Sequence, residues 1–191
     1  MDKFPRITVV TGNGKGKTTS GMGRAVLAAT SGERVMVVQF LKGTGYTGEL
    51  RSAENWQGKL EIRQFGAGCH RSLGIAQGTL VCERCGNCFR ENRKPENDFA
   101  GKAFECAKTA ALSGEWDLLV LDEISHSVNR GLLDLAEVLD WVQSVRSSLR
   151  LVLTGRNMPP ELLEIAEEAT ECMVVKHPIT QGIWGRRGIE Y

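Results

Sequence analysis

The segment Gly12-Asn13-Gly14-Lys15-Gly16-Lys17-Thr18 limits the fold of this chain more than any other. Three glycines in five residues let successive backbone N–H groups turn to one side, where they can surround an anion. A β-branched run, Ile7-Thr8-Val9-Val10, precedes the loop, and a helical pattern from about Lys17 to Ala29 follows it. Strand, glycine loop and helix in this order place the positive end of a helix dipole against the loop. The usual triphosphate loop reads G-x-x-x-x-G-K-[ST]. Gly16-Lys17-Thr18 matches its end, while Thr11 stands at the first glycine position and Gly12 comes one residue later. Lys17 is expected to reach the phosphates with help from Lys15, and the Thr18 hydroxyl is expected on Mg²⁺.

The rest of the chain alternates strand and helix patterns. Strands are expected over 34–40, 60–65, 117–122, 150–154 and 171–175, and helices over 98–112, 134–147 and 159–168, with a short one over 49–56. Asp117 to Asp122 (DLLVLD) is almost wholly apolar, as a central strand of a parallel sheet must be. Asp122-Glu123 at its carboxyl end is where an acidic partner of the phosphate loop belongs. The expected fold is α/β: a P-loop NTPase-like (RecA-like), mostly parallel sheet with helices on both faces. A chain of 191 residues suits one such domain, 1–191.

Residues 66–97 break the alternation and read as a Cys-rich insertion. Cys82-Glu83-Arg84-Cys85-Gly86-Asn87-Cys88 is C-x2-C-x2-C, with Cys69 and His70 upstream. Thiolates this close in sequence converge readily on a metal. The spacing fits a [4Fe–4S] cluster with Cys69 or Cys106 as fourth ligand. It also fits a single Zn²⁺ or Fe²⁺ closed by Cys88 and Cys69 or His70, which is the favoured form because it would order a segment too polar to fold by burial. Cys106 and Cys172 read as core residues. Trp141 reads as a core anchor, and His126 as a solvated or substrate-facing histidine.

Charge adds an exclusion. Lys and Arg total 24 and Asp and Glu 23, so the net charge of +1 provides no general pull toward nucleic acid or anionic membrane. No apolar stretch is long enough to span a bilayer, and Met1 to Pro5 has no signal-peptide character, so a cytoplasmic protein is expected.

The segments TGNGKGKTT (11–19), VVQFLKG (37–43), LDE (121–123), LTGR (153–156) and VKHPITQGIWGRRGIEY (175–191) resemble the P-loop-type ATP:corrinoid adenosyltransferases. The resemblance implies ATP and a corrinoid as substrates, with cobalt(I) attacking C5′ of the ribose and triphosphate leaving. It implies that Gly12, Asn13, Gly14, Lys15, Gly16, Lys17, Thr18 and Thr19 bind ATP. Thr18 with Asp122 or Glu123 would hold Mg²⁺, and Arg156 and Lys176-His177 would lie near the nucleotide or corrinoid. It further implies a homodimer and an electron donor such as a flavoprotein. Where family members carry an N-terminal helical extension, about ten residues precede the loop here. Where they carry an aromatic pair after the third strand, this chain has Gly66 to Arg71, so Phe89, Phe99 or Phe104 would have to substitute. Two other readings remain open on the residues alone: a nucleoside kinase using Asp122 or Glu123 as base, and a non-catalytic nucleotide-gated metal or cobalamin trafficking module.

Overall fold

A computed structural model describes residues 4–43, 49–50, 56, 58–83 and 85–176. The elements in chain order are β1 (Ile7–Thr11), α1 (Lys17–Thr30), β2 (Val35–Phe40), β3 (Leu60–Phe65), α2 (Ser72–Gln77), α3 (Asn87–Glu91), a 3₁₀ turn (Pro95–Asn97), α4 (Phe99–Ser113), β4 (Leu118–Asp122), α5 (Ile124–Asn129), α6 (Leu135–Ser144), β5 (Arg150–Thr154), α7 (Pro160–Glu164) and β6 (Glu168–Glu171).

The described strands form one six-stranded sheet in the order β3-β2-β4-β5-β1-β6, and every pairing is parallel. Alternation along each strand sends side chains to two separate cores. Val10, Val35, Val37, Val120 and Val152 pack under α1 against Met22, Ala25, Ala28 and Ala29. Ile7, Val9, Met36, Val38, Leu119, Leu121, Leu151 and Leu153 pack on the other face, against Ala103, Phe104 and Ala107 of α4 and Val138 and Val142 of α6. Each fully buried aliphatic side chain contributes roughly 1.5–3 kcal/mol, so the sheet interior is the main source of stability. Gly21 lets α1 lie close to the sheet: a Cβ there would sit 3.1 Å from Val120 and 3.2 Å from Thr154.

Several expectations are corrected. The last strand runs over 168–171 rather than 171–175. Three of its four residues, Glu-Ala-Thr-Glu, are polar, and the strand is mostly exposed at the sheet edge, so it carries no apolar signal. The apolar run Met173-Val174-Val175 lies beyond it and faces solvent, with Val175 92% exposed. The helix expected over 159–168 stops at Glu164, and α5 was not expected at all. Between β3 and α4 the chain forms the short helices α2 and α3 and the 3₁₀ turn instead of a patternless loop. The short helix expected over 49–56 lies largely outside the described residues.

Candidate active site

In a parallel sheet of this kind ligands bind beyond the carboxyl ends of the strands. The glycine loop leaves β1 at that edge. Gly12 has φ +98° and Gly16 φ +115°, a left-handed region that disfavours side chains. The backbone following β6 passes directly against the loop. Gly14 N donates to Cys172 O at 2.7 Å, and Cys172 N donates to Thr11 O at 2.8 Å. A Cβ on Gly12 would lie 2.5 Å from Cys172 O, and one on Gly14 2.6 Å from both Cys172 O and Met173 O. The shifted first glycine therefore has a physical cause: position 12 is where a second backbone segment crosses. Cys172 is half-buried beside the loop rather than within a strand.

Lys17 opens α1, is 6% exposed, and donates from Nζ to Gly14 O at 2.6 Å. Burial, and then the neighbouring Arg156 guanidinium, holds its ammonium below the usual lysine range. Thr18 Oγ1 donates to Asp122 Oδ1 at 2.9 Å. Asp122 is 1% exposed and also accepts from Thr154 Oγ1 at 2.7 Å and, on Oδ2, from Gln39 Nε2 at 2.9 Å. Gln39 in turn accepts from Gln64 Nε2 at 2.7 Å.

Register explains this row. Gln39 pairs with both Gln64 and Asp122 across β3-β2-β4, and Thr154 is the next residue after the Leu121–Leu153 pair. Each polar residue also lies two positions beyond an apolar one on the α1-facing side: Ile62, Val37, Val120 and Val152. The last row of that face is thus polar, and it points to the start of α1.

Glu123 follows with φ +67°, and its N–H donates to Thr154 Oγ1 at 3.1 Å. Burial, then the adjacent Asp122 charge, pushes its carboxyl above the ordinary range. Gly14, Lys15, Gly16, Lys17, Thr18 and Thr19 line a cleft of about 240 Å³ with Lys42, Glu49, Glu123 and Arg156. Lys42 Nζ and Glu49 Oε1 are 2.8 Å apart at its wall. Arg156 is fixed through its backbone, which accepts from Ser125 Oγ at 2.8 Å. The cleft concentrates cationic groups around a loop of backbone N–H groups, with two carboxylates at one side. It suits a polyphosphate accompanied by a divalent cation.

The structure brings together Gly14 to Thr19, Asp122, Glu123 and Arg156, with Gly12 supporting the loop, while Asn13 is exposed on it. Gln39, Gln64, Thr154, Lys42 and Glu49 were not foreseen. The available signal was a polar residue at or near the end of an apolar run (Gln39 after VMVV, Thr154 after LVL). His177 lies outside the described residues.

The described residues do not show the expected cysteine centre. Among the described residues, no three His, Cys, Asp or Glu side chains are placed to hold a metal ion. Cys82 and Cys85 are exposed, and Cys69 and Cys88 half-buried. An Arg71–Glu83 ion pair ties the Cys69-His70 stretch to the Cys82 stretch without bringing the sulfurs to a common point. Phe104 cannot replace the missing aromatic pair, because it is 2% exposed and packed edge-on against Trp141 at 5.3 Å. That contact makes Trp141 the core anchor expected. Cys106 packs at the margin of the same core, with Arg63 Nη1 at 3.5 Å from its sulfur. Trp56 is half-buried against the α1-side core. His126 lies in α5 rather than a loop, and accepts from Arg130 Nε at 2.6 Å.

Comparison with known proteins gives a consistent result. The family model for ATP:corrinoid adenosyltransferase BtuR/CobO/CobP matches residues 3–191. A corrinoid adenosyltransferase of Sinorhizobium sp is 32% identical over 191 residues, covering all of this chain and 82% of that protein. The corrinoid adenosyltransferase of Escherichia coli K12 is 30% identical, covering all of this chain and 88% of its own length. Corrinoid adenosyltransferase CobA of Salmonella typhimurium is 29% identical over 185 residues, 97% of this chain and 85% of that one.

Proposed function

This chain belongs to the ATP:corrinoid adenosyltransferase family, and from that premise we propose how its cleft carries out the transfer. The enzyme moves the 5′-deoxyadenosyl group of ATP to the cobalt(I) of a corrinoid. The cobalt–carbon bond forms with the cobalt electron pair, the C5′–oxygen bond breaks, and its electrons leave with the triphosphate. The observation that carries the reading is the cleft in which Lys15, Lys17, Thr18 and Arg156 face one glycine loop.

Cobalt(I) is itself the nucleophile, so the protein need not activate one. Its task is to hold the ribose end toward the corrinoid and to stabilise charge building on the triphosphate. The loop N–H groups and Lys17 do this directly, with Lys15 and Arg156 at the margin. Thr18 and Asp122, with Glu123 beside them, fit Mg²⁺. An oxygen-rich, partly carboxylate set that leaves positions for phosphate oxygens is what that ion requires. When bound, Mg²⁺ neutralises the departing polyphosphate.

A kinase reading would need a carboxylate able to take a proton from an acceptor hydroxyl. Asp122 is engaged by three donors and nearly inaccessible, which disfavours it as that base. The reading keeps residues 66–97 as an insertion in a single domain, and includes a homodimer and an external electron donor of the flavoprotein type, since cobalt must arrive as cobalt(I). A metal at the Cys82–Cys88 run rests on spacing alone, and no step passes through it. One zinc per chain without acid-labile sulfide would favour a structural site, and labile sulfide an iron–sulfur cluster.

The central test mixes protein, MgATP and chemically reduced corrinoid without oxygen and follows the optical spectrum. An adenosyl–cobalt product with one intact triphosphate per turnover is expected. ADP or orthophosphate as the sole nucleotide-derived product would overturn the reading.

A further inference from the structure

Gln39 is fully buried in β2, whose other five residues are Val, Met, Val, Val and Phe. An amide in such a place costs several kcal/mol unless each end is paired, roughly 2–7 kcal/mol by transfer measures. Here both ends are paired. Asp122, as a carboxylate, can only accept, so the Gln39 NH₂ must face Oδ2, and the Gln39 carbonyl oxygen must then face the Gln64 NH₂. The far oxygen of Asp122 is left between Thr154 and Thr18. With its proton committed to Asp122, the Thr18 hydroxyl keeps its lone pairs for the cleft.

We propose that Gln39 is a positioning residue for the transfer reaction: it fixes the carboxylate plane of Asp122, and so the orientation of the Thr18 oxygen, toward the divalent cation of the bound nucleotide. Gln64, on the edge strand β3, keeps the Gln39 amide the right way round. A methionine at position 39 would fill much the same volume, so packing alone does not call for the amide. Outer partners of this kind typically change metal affinity tenfold to a hundredfold. The inference rests on the reading of Thr18, backed by the Asp122 carboxylate, as the protein's hold on the cation.

The test is a Mn²⁺ titration followed by electron paramagnetic resonance, with ATP present, on wild type, Asp122→Asn, Gln39→Met and Gln64→Met. ATP binding in EDTA is measured in parallel. Wild type should bind Mn²⁺ in the ternary complex and Asp122→Asn should lose it; equal binding by the two would sink the ligand reading itself. Given that loss, Gln39→Met should weaken Mn²⁺ by about tenfold or more, with ATP binding in EDTA unchanged. Gln64→Met should shift it the same way by less. Wild-type Mn²⁺ affinity in Gln39→Met overturns the inference. So does an equal loss of metal-independent ATP binding, which would mark Gln39 as merely structural. If Gln39→Met does not fold, Gln64→Met decides, and wild-type Mn²⁺ affinity in that variant overturns the inference.

Discussion

Lys17 is a nearly buried cation whose acceptor within the protein is a neutral carbonyl, Gly14 O. Exchanging that acceptor for a phosphate oxygen replaces a neutral hydrogen bond by a charge-assisted one, about twice as strong. Lys17→Ala should therefore lower kcat/KM for ATP by roughly 10²- to 10³-fold, the scale of losing one preorganised charge-stabilising group. Lys17→Arg should not rescue it, because a planar guanidinium does not occupy the site of a compact ammonium. Steady-state kinetics of adenosyl–cobalt formation checks both. Glu123 poses the opposite case. Its carboxyl is held above the ordinary range by burial and by Asp122, so its ionisation costs stability. The folded form binds this proton more tightly than the unfolded form, and stability falls as pH rises through the raised value. Glu123→Gln should match wild type at about pH 3.5, below the ordinary Glu value near 4.3, and exceed it at pH 7. Denaturant melts at the two values measure this. A stability gain that is the same at both would argue against the cause given.

The backbone after β6 is hydrogen-bonded to the phosphate loop at Gly14 and to the residue before it, Thr11, and so braces the loop as an element. Gly14→Ala would place a methyl carbon 2.6 Å from two carbonyl oxygens of that segment, neither of which can rotate away. The variant should lose roughly 1–3 kcal/mol of stability, the cost of overpacking, and bind ATP more weakly; calorimetry and a thermal melt report the two effects. The elements were unevenly legible in the sequence. β1, β2, β4 and β5 are runs buried on both faces, and a chain that buries such runs shows them directly, while β3 at the other edge showed itself by alternating apolar and polar residues. β6 is polar because it closes an exposed edge, so its place was instead assigned to the Met173-Val174-Val175 run, which faces solvent. Lys17, Thr18, Asp122 and Glu123 were legible because loop and acid each carry their own local pattern. Gln39, Gln64 and Thr154 were not. Their meaning depends on the register of four strands, and a single sequence contains no pairing information.

At the scale of the whole molecule, the stretch between β3 and α4 is joined to the site by Asn92. This side chain is 7% exposed. Its Nδ2 donates to Leu41 O just beyond β2, and its Oδ1 accepts from Ala67 N just beyond β3. Asn92 N in turn receives its place from α3, donating to Cys88 O at 3.1 Å. One amide thus ties the ends of two adjacent strands to the helix that ends the cysteine run. Leu41 adopts φ +55° and directly precedes Lys42 of the cleft wall, so the clip acts on a backbone turn that a leucine would otherwise avoid. Asn92→Ala would take from the part-buried Leu41 carbonyl and the part-buried Ala67 N–H their bonds to this side chain, each costing at most roughly 1–3 kcal/mol. The loss should be local, because the clip holds only the ends of β2 and β3, while β4 is paired along its length with β2 and β5, and β5 and β1 lie three and four positions in from the β3 edge. Amide hydrogen exchange should therefore speed up at Ala67 and across 85–97, with β1, β4 and β5 protected as in wild type, and KM for ATP should rise through Lys42. Uniform loss of protection would instead mean that this stretch and the sheet unfold as one unit.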